Sequence, residues 1–214
     1  ISVPESLPRT KPKACNYGLN LCRGEYVTIY DAEDIPEPDQ LKKAVAAFRK
    51  GGDDLICVQA HLNYFNSHEN YLTGMFTLEY TYWFDCLIPG LDTYGLPIPL
   101  GGTSNHFRLD RLNELGGWDP YNVTEDADLG IRASARNYRV GVIHSTTYEE
   151  ANNELKNWLR QRSRWPGGAS PVMFQAVRIA RTTRWDSSQG TCPAPSPTTS
   201  TPTPSSATQT SISS

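Results

Sequence analysis

The sequence predicts an α/β layered fold with a mainly parallel sheet, and three observations support that prediction. Runs of β-branched and aromatic residues typical of strands alternate with amphipathic helical runs. The 214 residues, of which 38% are hydrophobic and 20% charged, suffice for one domain with its own core. The first of the strand runs ends in acidic residues, and parallel sheets bind ligands beyond the carboxyl ends of their strands.

The first half of the chain alternates strand, helix, strand and helix. Segment 25–31 is rich in β-branched and aromatic residues and ends in acid, which predicts a strand. Segment 39–50 places four apolar side chains on one helical face, and the glycines 51–52 end it. Segment 55–64 is predicted to be the next strand, and segment 71–87 an aromatic-rich amphipathic helix.

The second half repeats this alternation. Segment 102–108 is predicted to be a short strand, and the glycines 116–117 a turn. Segment 125–136 is predicted to be helical, segment 138–145 a strand, and segment 152–165 a helix with a leucine and tryptophan stripe.

Bulk composition excludes several classes of protein. The net charge of −3 gives no broad basic face, so a nucleic acid is not an expected partner. The five cysteines are scattered without metal-ligand spacing, which indicates reduced thiols. No apolar run reaches the roughly 20 residues that span a bilayer, so this piece is expected to be soluble.

Composition divides the chain into three parts. Residues 1–165 form the predicted domain, and residues 166–186 an irregular or aberrant junction. Residues 187–214 carry no charge and are dominated by Ser, Thr and Pro, which predicts a disordered tail. Because the chain starts at Ile1 rather than methionine, we expect it to be a fragment.

The first group of chemically suggestive residues is the acidic run after the first strand. Asp31, Glu33 and Asp34 would repel one another unless a cation neutralised them. Mg²⁺ or Mn²⁺ commonly bridges one or two carboxylates to the phosphates of a nucleotide. A solvated acidic turn is the alternative interpretation of this run.

The second group opens a predicted helix with Thr124 as its N-cap. Glu125 and Asp126 lie in the first turn, where the helix dipole favours carboxylates by about 0.3–1 kcal/mol. Capping alone explains this pattern. The functional alternative makes one carboxylate a general base that takes a proton from a sugar hydroxyl.

The third group ends the last predicted helix with Gln161, Arg164 and Trp165. An arginine suits phosphate oxygens, and a tryptophan offers a flat face to a sugar ring. The alternative is a cationic helix end with a core tryptophan.

In this order the three groups resemble the signature of processive family 2 glycosyltransferases, such as cellulose, curdlan and hyaluronan synthases. The likeness includes the stretch 11–19, KPKACNYGL, which is similar to the family's Lys-x-x-Ala-Leu-Asn-x-x-Leu. It also includes segments 101–108 and 116–119, and it extends from residue 3 to residue 165.

The resemblance implies a GT-A nucleotide-binding fold that lacks its N-terminal part here, and a role for each candidate residue. Asp126 would be the catalytic base of an inverting transfer. The other implied roles are nucleotide-sugar binding by Lys13, Asp31 and Glu33, divalent-ion binding by Asp31, Glu33 and Asp34, and acceptor or diphosphate binding by Glu125, Gln161, Arg164 and Trp165.

The resemblance also implies partners and a location. The donor would be a nucleotide-sugar, UDP-glucose by family frequency, and the acceptor a growing β-linked polysaccharide. Segment 76–91 resembles the helix that rests at the membrane face in this family, although packing on the sheet explains it equally well. The parent enzyme would lie in the cell (inner) membrane with this domain on its cytoplasmic side.

Two other functions fit parts of the sequence. An inactive nucleotide- or sugar-binding remnant would lack the first half of the donor pocket. A secreted carbohydrate-binding module on a mucin-like stalk would need paired cysteines and a signal peptide, and neither is seen.

Overall fold

The structure, a computed structural model, describes residues 2–162, the last three by their backbone alone. Arg164, Trp165 and the predicted segments 166–186 and 187–214 lie outside the described residues. The described elements are, in chain order, α1 (Lys11–Leu19), β1 (Tyr26–Ile29), β2 (Ile35–Pro36), α2 (Gln40–Lys50), β3 (Leu55–Tyr64), α3 (Tyr71–Thr81), the π-helical segment π1 (Tyr82–Leu87), α4 (Ile88–Thr93), β4 (Asn105–Arg108), α5 (Leu109–Glu114), α6 (Glu125–Ala135), β5 (Arg139–Glu149) and α7 (Leu155–Arg162).

One five-stranded sheet, in the order β1-β4-β3-β5-β2, organises the described residues. The central strands β3 and β5 run parallel, whereas the pairs β1–β4, β3–β4 and β2–β5 are antiparallel. The sheet is therefore mixed, and the prediction of a mainly parallel sheet is wrong in this respect. The alternation of helices and strands predicts the layered architecture. It does not predict strand direction, because a long helical connection can lead into either a parallel or an antiparallel strand.

Helices cover both faces of the sheet. On one face Phe48 of α2 packs with Leu55 and Val58 of β3 in a small cluster. On the other, a larger core joins β3 and β4 to the segments from π1 to α6, including Phe107 and Leu129. Each fully buried side chain of this size contributes about 1.5–3 kcal/mol. Because both faces are covered, β3 is buried along nearly its whole length.

The predicted helix 71–87 is longer and less regular than expected. Asn70 starts α3 with a capping box, in which its side chain accepts from the N–H of Thr73 and its own N–H donates to the Thr73 hydroxyl. After α3 the helix widens into π1 and then continues as α4. Phe84 lies within π1 and is buried in the core at 4% exposure.

The predicted glycine turn is present and has a tight packing role. Gly116 and Gly117 have φ values of +84° and +68°, which favour glycine. A Cβ on Gly117 would lie 2.4 Å from Oδ1 of Asn16 in α1. The turn therefore brings α1 against the residue that follows it, Trp118.

Candidate active site

The acidic run after β1 forms a turn held against the segment that precedes β4. The backbone N–H of Asp31 donates to Oδ2 of Asp34 (2.8 Å) and to the hydroxyl of Thr103 (3.3 Å), and that hydroxyl donates to the same Asp34 oxygen. Burial raises the pKa of Asp34, although its hydrogen bonds to Thr103 and to the Asp31 N–H oppose the rise. Asp34 therefore braces the turn, while Glu33 is exposed.

Lys11 of α1 is the cation of this site. Its Nζ lies 2.5 Å from Oδ1 of Asp31 and 2.6 Å from the carbonyl oxygen of Gly102. Burial lowers the pKa of Lys11, but the hydrogen bond to Asp31 and the charges of Asp31 and Asp126 outweigh burial and raise it. Lys11 therefore stays charged between the two acidic groups that the sequence singled out.

The structure places Lys13 elsewhere. Its ammonium bonds the carbonyl oxygen of Pro4 (3.4 Å) and both oxygens of Ser6. Residues 11 and 13 lie about 200° apart around a helix, so Lys13 does not share the position of Lys11, and its approach to the donor stays a prediction. The sequence did offer Lys11 as a candidate for the lysine at the acidic turn, because it is the first residue of the motif 11–19.

Asp126 lies in the first turn of α6 and is 9% exposed. The indole Nε1–H of Trp118 donates to its Oδ1 at 3.0 Å. Burial and the neighbouring Glu125 raise the pKa of Asp126 to about 7, against the lowering effects of Lys11 and the indole. A carboxyl group with a pKa near the operating pH has the property that a general base needs.

The capping explanation of this acidic pair is weakened by the local geometry. Thr124 occupies the N-cap position, but its side chain makes no capping hydrogen bond and instead donates to Oδ1 of Asn122 (3.2 Å). The predicted N-cap position of Thr124 is therefore confirmed, although its hydroxyl does not cap the helix. Burial also raises the pKa of Glu125, which is half-buried beside Asp126.

The first two groups of acids meet at the segment 101–104. Gly102 accepts the bond from Lys11, which in turn contacts Asp31. A Cβ built on Gly102 would lie 3.8 Å from Oδ2 of Asp126. Two acidic groups that are far apart in the chain thus approach the same glycine.

A cavity of about 240 Å³ opens beside the acidic turn. Its lining combines carboxylates with aromatic side chains. It is lined by Asp31, Glu33, Gly102, Thr103, Glu149, Glu150, Asn152, Leu62, Tyr64, Phe76 and Tyr80.

Glu149, at the end of β5, is a site residue that the sequence analysis missed. Burial and the charges of Asp34, Asp31 and Glu33 raise its pKa to about 8. It pairs with Tyr64 across the parallel strands β3 and β5. Its position along the chain could have identified it, because the strand predicted over 138–145 continues to Glu149. The end of a parallel strand is where such sheets bind ligands.

The third group is described in part. Gln161 lies in α7, of which the backbone is described at that position, and Arg164 and Trp165 lie outside the described residues. Trp158 of α7 packs against the cluster of Tyr64 and Phe76, so α7 is anchored next to the cavity wall.

The donor set suits a divalent cation that arrives with a diphosphate. Within residues 2–162, no three His, Cys, Asp or Glu side chains converge closely enough to hold a metal by themselves. Oδ1 of Asp34 is nevertheless buried without a described hydrogen-bond partner, and the neighbouring groups are hard oxygen donors. Mg²⁺ and Mn²⁺ are typically held by one or two carboxylates together with substrate phosphates. Asp31 and Glu33 line the cavity and fit that description.

The sequence matches a known protein family. The profile described as glycosyl transferase family group 2 matches residues 26–204. Glucomannan 4-beta-mannosyltransferase 2 of Arabidopsis thaliana is 29% identical over 194 residues, which are 86% of this chain and 34% of that protein. Glucomannan 4-beta-mannosyltransferase 1 of Oryza sativa subsp. japonica is 28% identical over 166 residues, which are 75% of this chain and 32% of that protein. The chain spans about a third of the length of these relatives.

The fold also has a solved counterpart. A mannosyltransferase from Pyrobaculum calidifontis, in complex with GDP-Man and Mn²⁺, matches with a TM-score of 0.61 at 20% identity, over 82% of this chain and 46% of that protein. This likeness confirms the predicted α/β fold of GT-A type. Because the family profile matches residues 26–204, this chain belongs to the glycosyl transferase family group 2.

Proposed function

We propose that this chain carries the donor and base sites of an inverting, processive-type glycosyltransferase that extends a β-linked polysaccharide with hexosyl units. The observation that carries the proposal is the position of Asp126. Its buried carboxyl group has a pKa of about 7 and lies next to Gly102. Lys11 contacts both the carbonyl oxygen of Gly102 and Asp31 of the acidic turn. A proton acceptor and a phosphate-binding region thus stand side by side.

The reaction that this arrangement supports is a direct displacement. The acceptor hydroxyl oxygen attacks the anomeric carbon and transfers its proton to Asp126. The bond from that carbon to the diphosphate oxygen breaks, and the nucleoside diphosphate leaves. One attack from the opposite face inverts the anomeric centre, and no covalent enzyme intermediate is needed.

The remaining residues divide between the two substrates. When bound, Mg²⁺ or Mn²⁺ neutralises the growing charge on the leaving diphosphate. Asp31 and Glu33 would hold that cation, and Lys11 would move from Asp31 to a diphosphate oxygen. Glu125 would face the acceptor, as would Gln161, Arg164 and Trp165 by the family resemblance.

The donor sugar is chosen by comparison. The resemblance first suggested UDP-glucose. The two plant relatives, however, are named as mannosyltransferases, and the archaeal neighbour was solved with GDP-Man. We therefore place a mannosyl donor ahead of UDP-glucose, and a competition assay between the two nucleotide-sugars decides between them.

We also propose that the helical face around α3 rests on a membrane. Three of its apolar side chains are largely exposed, with Tyr71 at 84%, Leu78 at 65% and Tyr82 at 62%. None of the helices within residues 2–162 is both long and apolar enough to cross a bilayer. A surface contact on the cytoplasmic side of the cell membrane, as the family resemblance suggests, would cover this face.

The decisive experiment follows nucleoside diphosphate release and product mass with Mn²⁺, GDP-mannose or UDP-glucose, and manno- or gluco-oligosaccharide acceptors. We expect Asp126→Asn to lower kcat by about 10²–10⁴-fold, because the amide cannot take the proton. Asp110→Asn is the matched control, since that carboxylate is 73% exposed on α5. Nucleotide binding without product in the unsubstituted chain would contradict the transfer proposal and favour the inactive remnant.

A further inference from the structure

The general base proposed above is held by a buried indole. Nε1 of Trp118 lies 3.0 Å from Oδ1 of Asp126, and the tryptophan is 3% exposed. An indole N–H can only donate, and its hydrogen bond to an ionised carboxylate oxygen is stronger than one to the carbonyl oxygen of a neutral carboxyl group. This contact therefore favours the ionised, proton-accepting form of Asp126.

Trp118 is itself held by two neighbouring residues, Asn16 and Phe107. The side chain of Asn16 accepts from its backbone N–H (3.0 Å) and donates to its carbonyl oxygen (2.6 Å). Its ring meets Phe107 edge to face, with centroids 5.6 Å apart. Gly117 immediately before it leaves room for Asn16, because a Cβ there would clash with the amide oxygen. The indole thus has little freedom to follow Asp126 if that side chain turns.

The hydrogen bond also distinguishes the two carboxylate oxygens. Oδ1 is engaged by the indole, whereas Oδ2 faces Gly102, on which a Cβ would lie 3.8 Å from that oxygen. Gly102 lines the cavity beside the acidic turn. The oxygen left available is therefore the one on the substrate side.

We propose that Trp118 is a positioning residue for catalysis, whose indole N–H holds Oδ1 of Asp126 so that Oδ2 receives the acceptor proton. This inference rests on the proposed function, because it assumes that Asp126 is the base. The turn formed by Gly116, Gly117 and Trp118 thus has a positioning role in catalysis in addition to its packing role.

Other titratable and charged groups around Asp126 also influence its pKa. Lys11 and Cys15 face it from α1, Glu125 from its own helix, Asp31 from the acidic turn and Cys57 from β3. Burial dominates its pKa, and the indole is one of two stabilising contacts with the charged form. Removing the indole N–H should consequently move the pKa further upward.

The test replaces Trp118 by phenylalanine, which keeps an aromatic ring against Phe107 and removes the N–H. We expect kcat to fall about tenfold with KM for the donor within about twofold, as for a lost bond to a charged group. The acidic limb of the pH profile of kcat should shift to higher pH, since the neutral form of Asp126 is then favoured. Ile88→Val on α4 is the control, because it loosens the same buried core and should lower stability without moving the acidic limb.

A second measurement does not depend on turnover or on the folding of Trp118→Phe. The sequence has five tryptophans, and in ¹H–¹⁵N spectra of the unsubstituted protein we expect one indole cross-peak to titrate near pH 7. That titration should vanish in Asp126→Asn. A stationary spectrum, or an unchanged kcat and pH profile in Trp118→Phe while Asp126→Asn is inactive, overturns the positioning role alone. Full activity in Asp126→Asn overturns the proposed base, and the inference with it.

Discussion

Burial, more than any single charge, tunes the carboxyl groups of this site. Asp126 and Glu149 carry pKa values of about 7 and about 8, and desolvation is the largest cause for both. Asp126 has stabilising partners in Lys11 and Trp118, whereas Glu149 is surrounded mainly by other acids. The two residues therefore differ in role: one is set to exchange a proton, and the other holds its proton until a cation offsets the neighbouring charges.

Glu149 gives a prediction about stability at the residue scale. Its folded pKa of about 8 exceeds the ordinary value of 4.5, so the unfolded chain loses the proton first and stability falls as pH rises between those values. Glu149→Gln mimics the neutral form. Without metal, we expect it to leave the free energy of unfolding unchanged at pH 4 and to raise it at pH 8.5, on the order of 2 kcal/mol.

Urea denaturation at the two pH values measures this difference. Glu150→Gln serves as the control, because Glu150 is the exposed neighbour in the chain. Equal stability of the Glu149→Gln variant and the unsubstituted protein at both pH values would mean that Glu149 is well solvated.

At the scale of elements, α3 has one face that packs beside the cavity and another that is exposed to solvent. Phe76 packs edge to face against Tyr64, and both side chains line the cavity. Leu78 of α3 and Tyr82, the first residue of π1, are exposed, and a groove of about 350 Å³ lies between this segment and Trp158 of α7. An apolar face of this kind is the feature that a membrane surface or a neighbouring helix covers.

The outward face yields a prediction about membrane binding. Leu78→Ser should weaken binding to vesicles of phosphatidylcholine and phosphatidylglycerol by about tenfold, since burial of a leucine side chain is worth about 1.5–3 kcal/mol. Co-sedimentation with the vesicles provides the measurement. The control is Leu41→Ser on α2, where the leucine is 54% exposed on the other side of the sheet. Equal losses in both variants, or none, would contradict docking through α3.

At the scale of the whole domain, the site joins elements from the start to the end of the described chain. Lys11 comes from α1, Asp31 from the turn after β1, Asp126 from α6 and Glu149 from the end of β5. A ligand that touches all of them should therefore stabilise the domain as a unit.

Cation and nucleotide together should raise the melting temperature. We expect Mn²⁺ with GDP or UDP to increase Tm by about 5 °C, and either component alone to do much less, because carboxylates and phosphates share the ion. Differential scanning fluorimetry gives the readout. Asp31→Asn should abolish the increase, and Asp53→Asn, in an exposed loop, should retain it. An equal response to nucleotide in the absence of any divalent ion would exclude the shared-ion arrangement.

The sequence by itself determined the layered α/β class and most helix and strand positions, because apolar periodicity is a local property. It also singled out Asp31 and Asp126 as candidates, since an acid at a strand end and an acid in a first helical turn are both visible locally. Only the tertiary structure revealed the strand directions, the ion pair of Lys11 with Asp31, the burial of Glu149 and the bond between Trp118 and Asp126. Each of these depends on how distant segments approach one another, and desolvation, which sets the pKa values here, arises only from that approach.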